Sequence, residues 1–189
     1  QGVTISGTED NLVGIGQSYK INDYNRIASD SAGTIELSGD NSIGIYTKRA
    51  EQANSGIINM SGENSVGMYV TAGNSANRGE INIGDKGVGI YAETFSVPND
   101  NPNGYSTFNV VHGGKITASS GEKAIGIYAN ENSEAGSNGY GYLTLEWGAG
   151  IDVSASKGGV GIYSNKASIH GGGQNKISVG ENGVGVYLK

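Results

Sequence analysis

A Gly-aliphatic-Tyr unit recurs along the chain: SIGIY at 42–46, SVGMY at 65–69, GVGIY at 87–91, AIGIY at 124–128, GVGIY at 159–163 and GVGVY at 183–187. The tyrosines of neighbouring units lie 23 residues apart from Tyr46 to Tyr69, 22 from Tyr69 to Tyr91 and 24 from Tyr163 to Tyr187. Repetition at such a period means stacked supersecondary units, each too small to bury an apolar face without its neighbours.

Each unit extends upstream of the tyrosine, most clearly in GTIELSGDNSIGIY (33–46) and GIINMSGENSVGMY (56–69). Looser copies are GEINIGDKGVGIY (79–91), GKITASSGEKAIGIY (114–128), GIDVSASKGGVGIY (150–163) and NKISVGENGVGVY (175–187). A first copy, GVTISGTEDNLVGIG (2–16), carries Gly16 at the tyrosine position, which makes seven. The longer intervals, 30 from Gly16 to Tyr46, 37 from Tyr91 to Tyr128 and 35 from Tyr128 to Tyr163, read as insertions into the repeat. Two are assigned as loops, near 93–109 and 130–148.

Within a unit apolar and polar residues alternate, Ile58 and Met60 against Asn59 and Ser61, and a Ser-Gly-acid-Asn turn follows. Alternation of period two over short runs broken by turn residues predicts two strands per unit, with a third and less regular side. No window has helical spacing, and the 34 glycines oppose helix throughout. Two strands and a third side in 22 to 24 residues suit one turn of a parallel β-helix, whereas a propeller blade needs four strands and roughly 40 residues. The expectation is an all-β solenoid of about seven coils, residues 1–189 forming one β-helical unit with two inserted loops. Coils about 4.8 Å apart would give a rod on the order of 35 Å long.

Equivalent residues of successive coils then form ladders. Ile35, Ile58, Ile81, Ile116, Ile151 and Ile177 are one predicted internal column, and Ile45, Met68, Ile90, Ile127, Ile162 and Val186 another. Strict alternation places Val66 and Met68 inward and Gly67 and Tyr69 outward, with the tyrosine ring leaning across the bare glycine backbone. Tyr46, Tyr69, Tyr91, Tyr128, Tyr163 and Tyr187 would then form an outer strip. Such a strip serves packing in the first place; as a binding surface it would take a glycan or protein partner by stacking. The insertions add Phe95, Tyr105, Phe108, Tyr140, Tyr142 and Trp147 as candidate binding residues, because loops on a rigid scaffold favour recognition.

Charge and chemistry narrow the function. Net charge is −6 and no Lys/Arg cluster stands out, so nucleic acid is not an expected partner. There is no cysteine for disulfide or thiolate chemistry. No apolar run reaches the roughly 20 residues of a membrane-spanning helix. Gln1 is not preceded by a leader, and the sequence starts and stops within its own repeat, so it reads as an excised piece whose open ends expose unpaired strands and favour self-association. The turn acids Asp40, Glu63, Asp85, Glu122 and Glu181 stack along one corner. Turn geometry explains them better than calcium, because the glycine-rich calcium repeat is missing and Lys86 and Lys123 interrupt the column. His112 and His170 have no serine and acid at a recognisable spacing, and no two carboxylates are expected to face one another, so neither catalysis nor a metal or cofactor is expected.

The x-Val-Gly-Ile-Tyr unit followed by a spacer and Asn-x-Gly-x-Ile, as in VGMYV and then NRGEI (77–81), resembles the passenger repeats of type V autotransporters, particularly the large fusobacterial-type adhesins. The resemblance spans essentially the whole chain. It implies a right-handed parallel β-helix on the outer surface of a Gram-negative bacterium, continued by adjoining coils and anchored in the parent by a C-terminal translocator barrel. The implied partner is a host or bacterial surface protein or glycan. A pure spacer without ligand is the alternative, and a β-helical polysaccharide-degrading enzyme the third reading.

Overall fold

The computed structural model describes residues 2–18, 28–94, 107–131 and 140–189, and within them every regular element is a β-strand. The first coil holds β1 (Thr4–Gly7), β2 (Val13–Ser18) and β3 (Ala28–Ser31), and the second β4 (Thr34–Leu37), β5 (Ile43–Lys48) and β6 (Glu51–Asn54). The third holds β7 (Ile57–Met60), β8 (Val66–Thr71) and β9 (Gly73–Asn77), and the fourth β10 (Glu80–Ile83), β11 (Val88–Glu93) and β12 (Phe108–His112). The fifth has β13 (Lys115–Ala118), β14 (Ile125–Asn130) and β15 (Gly141–Leu145), and the sixth β16 (Gly150–Val153), β17 (Val160–Asn165) and β18 (Ser168–Gly171). The seventh contributes β19 (Lys176–Val179) and β20 (Val184–Leu188).

Every third strand pairs in parallel, giving three sheets: β1-β4-β7-β10-β13-β16-β19, β2-β5-β8-β11-β14-β17-β20 and β3-β6-β9-β12-β15-β18. Winding of this kind is a parallel β-helix. The side expected to be less regular is a sheet of its own.

Register fixes the ladders. Ile35 pairs with Ile58, Ile58 with Ile81, Ile81 with Ile116, Ile116 with Ile151 and Ile151 with Ile177. The second column runs unbroken from Ile45 through Met68, Ile90, Ile127 and Ile162 to Val186. Ile58, Ile81, Ile90 and Ile127 are wholly buried. Each such side chain contributes roughly 1.5–3 kcal/mol, and the coils cohere because their apolar faces meet only in this shared interior.

The corner between the first and second sheets repeats one residue with positive φ: Asn41 (55°), Asn64 (55°), Lys86 (51°), Lys123 (54°) and Asn182 (55°). Asparagine enters this left-handed region more readily than other non-glycine residues, which explains the recurring acid-Asn pair. A second corner, between the second and third sheets, turns on Arg49 (φ 53°), Ala72 (46°) and Lys166 (61°).

The glycine of the repeat does not point outward. A Cβ on Gly67 would stand 2.4 Å from the Ile81 side chain and 2.6 Å from the Gly89 carbonyl oxygen, and Gly44, Gly89, Gly126 and Gly161 each face an interior isoleucine in the same way. Gly67 and Met68 are both buried while Val66 and Tyr69 are partly exposed. Two consecutive residues therefore turn inward, the strict alternation breaks, and the tyrosine does not cover the glycine. Glycine is needed because the backbone here closes on the facing isoleucine ladder, leaving no room for a side chain.

Phe108 also departs from expectation. It opens β12 and is wholly buried, so its ring belongs to the core and is not available to a partner. Its register neighbours are Gly73 and Gly141, and a Cβ on Gly141 would sit 2.4 Å from the Phe108 ring. Small residues above and below make room for this large ring. The fourth-coil insertion therefore ends before Phe108, and Gly141–Leu145, placed by the sequence in the second loop, is strand β15.

Candidate functional site

The six predicted tyrosines form one continuous column on the outer face of the second sheet. Ring centroids are 4.7 Å apart for Tyr69 and Tyr91, 4.8 Å for Tyr91 and Tyr128, and 4.8 Å for Tyr128 and Tyr163, with planes within 14°. Tyr163 and Tyr187 stack at 5.2 Å, and Tyr46 tilts by 38° against Tyr69 at 5.6 Å. In-register parallel pairing imposes this spacing, and each contact adds about 0.5–1.5 kcal/mol beyond area burial. The faces of the inner rings are occupied by their neighbours, so the column offers edges and hydroxyls to solvent.

Glu93, two residues beyond Tyr91 on the same strand, gathers two of those hydroxyls. Tyr69 Oη donates to Oε1 at 2.6 Å, and Tyr91 Oη donates to Oε2 at 3.4 Å. Burial, reinforced by the carboxylate, drives the Tyr69 hydroxyl far above the usual phenol range and pushes Tyr91 up to about 12; burial raises Tyr128 as well.

The acidic corner is a hydrogen-bonding column. Asp10 Oδ1 accepts the Asp40 amide and Asp40 Oδ1 accepts the Glu63 amide, both at 2.8 Å, and Asp85 Oδ1 accepts the Glu122 amide. Lys86 reaches back to the Glu63 carboxylate of the coil before. These carboxylates tie coil to coil at a turn, a role beyond the turn geometry expected of them.

The third sheet carries polar residues inward that the sequence reading did not single out as a group. Asn54 Nδ2 donates to Asn77 Oδ1 at 2.8 Å, Asn77 Nδ2 lies 3.2 Å from His112 Nδ1, and His112 Nε2 lies 3.1 Å from the Gly150 carbonyl oxygen. All three side chains are wholly buried. A carbonyl accepts only, so His112 carries its proton on Nε2 and accepts at Nδ1; burial lowers its pKa and holds it neutral. The identical Asn-x-Gly spacing of Asn54 and Asn77 is the signal that would have found the pair.

Outward, the third sheet is shallow and bare. Ala53, Ala76 and Val111 are in register, followed by Thr144 and His170. Beside them run Glu51, Asn74, Asn109 and Tyr142, and an open cleft of about 290 Å³ over coils two to four is lined by Glu51, Ala53, Asn74, Ala76, Asn109 and Val111. Tyr142 stands one coil beyond the cleft and is 39% exposed; Tyr140, at 52%, lies 6.3 Å from it. Trp147 is 69% exposed and lies over Gly173 at another corner. Phe95 and Tyr105 lie outside the described residues.

Each of the three long intervals enters the coil at the same place, between a strand of the second sheet and the next strand of the third: after Ser18, after Glu93 and after Asn130. In the other coils Lys48, Thr71 and Asn165 are followed within three residues by the next strand. The roots of the later two are joined, for the Tyr140 amide donates to Thr107 Oγ1 at 3.4 Å and the Thr94 amide to the Asn130 carbonyl at 3.1 Å. Among the described residues, no three of His, Cys, Asp or Glu cluster as a metal site would require.

Stacked coils around one aliphatic interior, with side chains displayed in columns, define a parallel β-helix protein. The sequence model of the family described as "BigA third pectate lyase-like domain" matches residues 1–100, more than half of the 189, and the chain belongs to that family. No curated protein and no solved structure matches the chain.

Proposed function

We propose that the chain is a non-enzymatic segment of a bacterial cell-surface adhesin, in which a stiff β-helical rod presents connecting segments and a sheet face to a surface protein or glycan of a host or bacterial cell. The observation that carries this reading is the gathering of all three long connections at one corner, beside the cleft of the third sheet and Tyr142. Variation concentrated at one edge of a uniform rod is what presentation to a partner requires. The family membership supports a β-helical passenger-type region, and the resemblance of the repeat supports its place on an exported, surface-anchored protein of the autotransporter type. The absence of cysteine suits a chain exported unfolded.

Beads coated with the chain, applied to epithelial and to bacterial cells, test the proposal. Adhesion is expected to exceed that of albumin-coated beads, and to be lost on deletion of residues 96–107 or in Val111→Asp with melting unchanged. Wild-type beads that adhere no better than albumin would leave the rod as a spacer.

The spacer reading has its own support, since the inner tyrosine faces are taken up by stacking. A polysaccharide-degrading activity is the third reading. Release of reducing sugar from pectin or a host glycan by purified protein would establish it in place of the first two.

A further inference from the structure

We propose that the tyrosine column is an oxidative modification site, at which phenols of neighbouring coils join as dityrosine and staple the rod along its length. The chain has no cysteine, so a covalent link between coils must come from another side chain. Tyrosine is the residue whose one-electron oxidation ends in coupling with its own kind.

The geometry supplies what the coupling needs. Tyr69, Tyr91, Tyr128 and Tyr163 stack at 4.7–4.8 Å with planes 4–14° apart, so each ring already meets its reaction partner and the encounter costs no diffusion. One edge of each partly buried ring faces solvent, and coupling requires the paired rings to tilt until the carbons ortho to the two hydroxyls touch. Losing an electron makes a phenol strongly acidic, and its proton needs an acceptor at hand. The Glu93 carboxylate fills that role for two rings, with Tyr69 Oη at 2.6 Å and Tyr91 Oη at 3.4 Å.

In the step, each of two phenols gives one electron and one proton, the two phenoxyl radicals form one carbon–carbon bond between ortho positions, and the ring hydrogens shift to restore both hydroxyls. With hydrogen peroxide as oxidant, one molecule takes up the two electrons and two protons and leaves as two waters. The product joins residues a full coil apart, and so opposes unwinding as a disulfide between coils would.

The test exposes the folded chain to a ruthenium polypyridyl photo-oxidant with persulfate as terminal electron acceptor, followed by peptide mapping. Expected are monomeric chains carrying cross-linked peptides, two hydrogens lighter, that join Tyr69 to Tyr91, Tyr91 to Tyr128 and Tyr128 to Tyr163, with an upward shift in melting temperature. Tyr128→Phe keeps the stack and should lose both links through position 128 while Tyr69–Tyr91 persists. Glu93→Gln should shift cross-linking from Tyr69–Tyr91 toward Tyr128–Tyr163. Dityrosine confined to the exposed Tyr140–Tyr142 pair, dityrosine only between chains, or none at all would overturn the proposal.

Discussion

Gly67 and Ile81 compete for one space: a Cβ on the glycine would lie 2.4 Å from Cγ2 of the isoleucine and 2.6 Å from the Gly89 carbonyl oxygen. The isoleucine is wholly buried and the carbonyl belongs to the sheet, so neither has free volume into which to move. Gly67→Ala is therefore expected to destabilise by about 1–3 kcal/mol, as overpacking does. At Gly185, in the same column, a Cβ meets nothing within 4 Å, and alanine there should be neutral or slightly stabilising. Thermal or urea melts of the two variants compare them directly, and equal effects would contradict the inward placement.

Phe108 and Gly141 should behave as one unit. Phe108→Ala removes a wholly buried ring and is expected to cost about 3–5 kcal/mol. Gly141→Ala drives a methyl into that ring. Combined, the two changes should cost clearly less than their sum, since the new methyl enters the space the ring has left. Strict additivity in a double-mutant cycle would count against the packing.

His112 makes stability depend on pH. Its pKa is lowered in the folded chain, principally by burial, while Glu146 nearby and the Gly150 carbonyl act in the opposite direction. Glu146 is itself paired with Arg78 at 3.1 Å, which softens its pull. The unfolded chain therefore binds a proton that the folded chain refuses: the contribution is complete above the ordinary histidine pKa of 6.5 and is lost as pH falls from there toward the lowered folded value. Protonation would also set an N–H at Nδ1 against the Asn77 amide donor. Melting temperature should drop below pH about 6.5, and His112→Asn, extending the column of Asn54 and Asn77, should flatten that part of the curve.

The acidic corner should ignore calcium. Asp10, Asp40 and Asp85 already spend an oxygen each on a backbone amide of the following coil. Millimolar calcium or a chelator is expected to leave the melting temperature where it was, while Asp40→Ala lowers it modestly through the orphaned Glu63 amide. A rise of several degrees with calcium would reverse this account.

The sequence by itself determined the coil. The spacing of the tyrosines set its length, alternation in Ile58-Asn59-Met60 set a buried and an open face, and the acid-Asn pair marked a corner in left-handed conformation, because a repeat interval and the chemistry of adjacent residues are both written along the chain. Tertiary structure decided which way Gly67 points, since a bend that turns Gly67 and Met68 inward together breaks the period of two on which the reading relied. It also decided that Asn54, Asn77 and His112 lie inside, because their polarity is met in large part by the equivalent residue one coil away. The gathering of the long connections at one corner belongs to the same class: positions far apart in the chain become neighbours only when the coils are stacked.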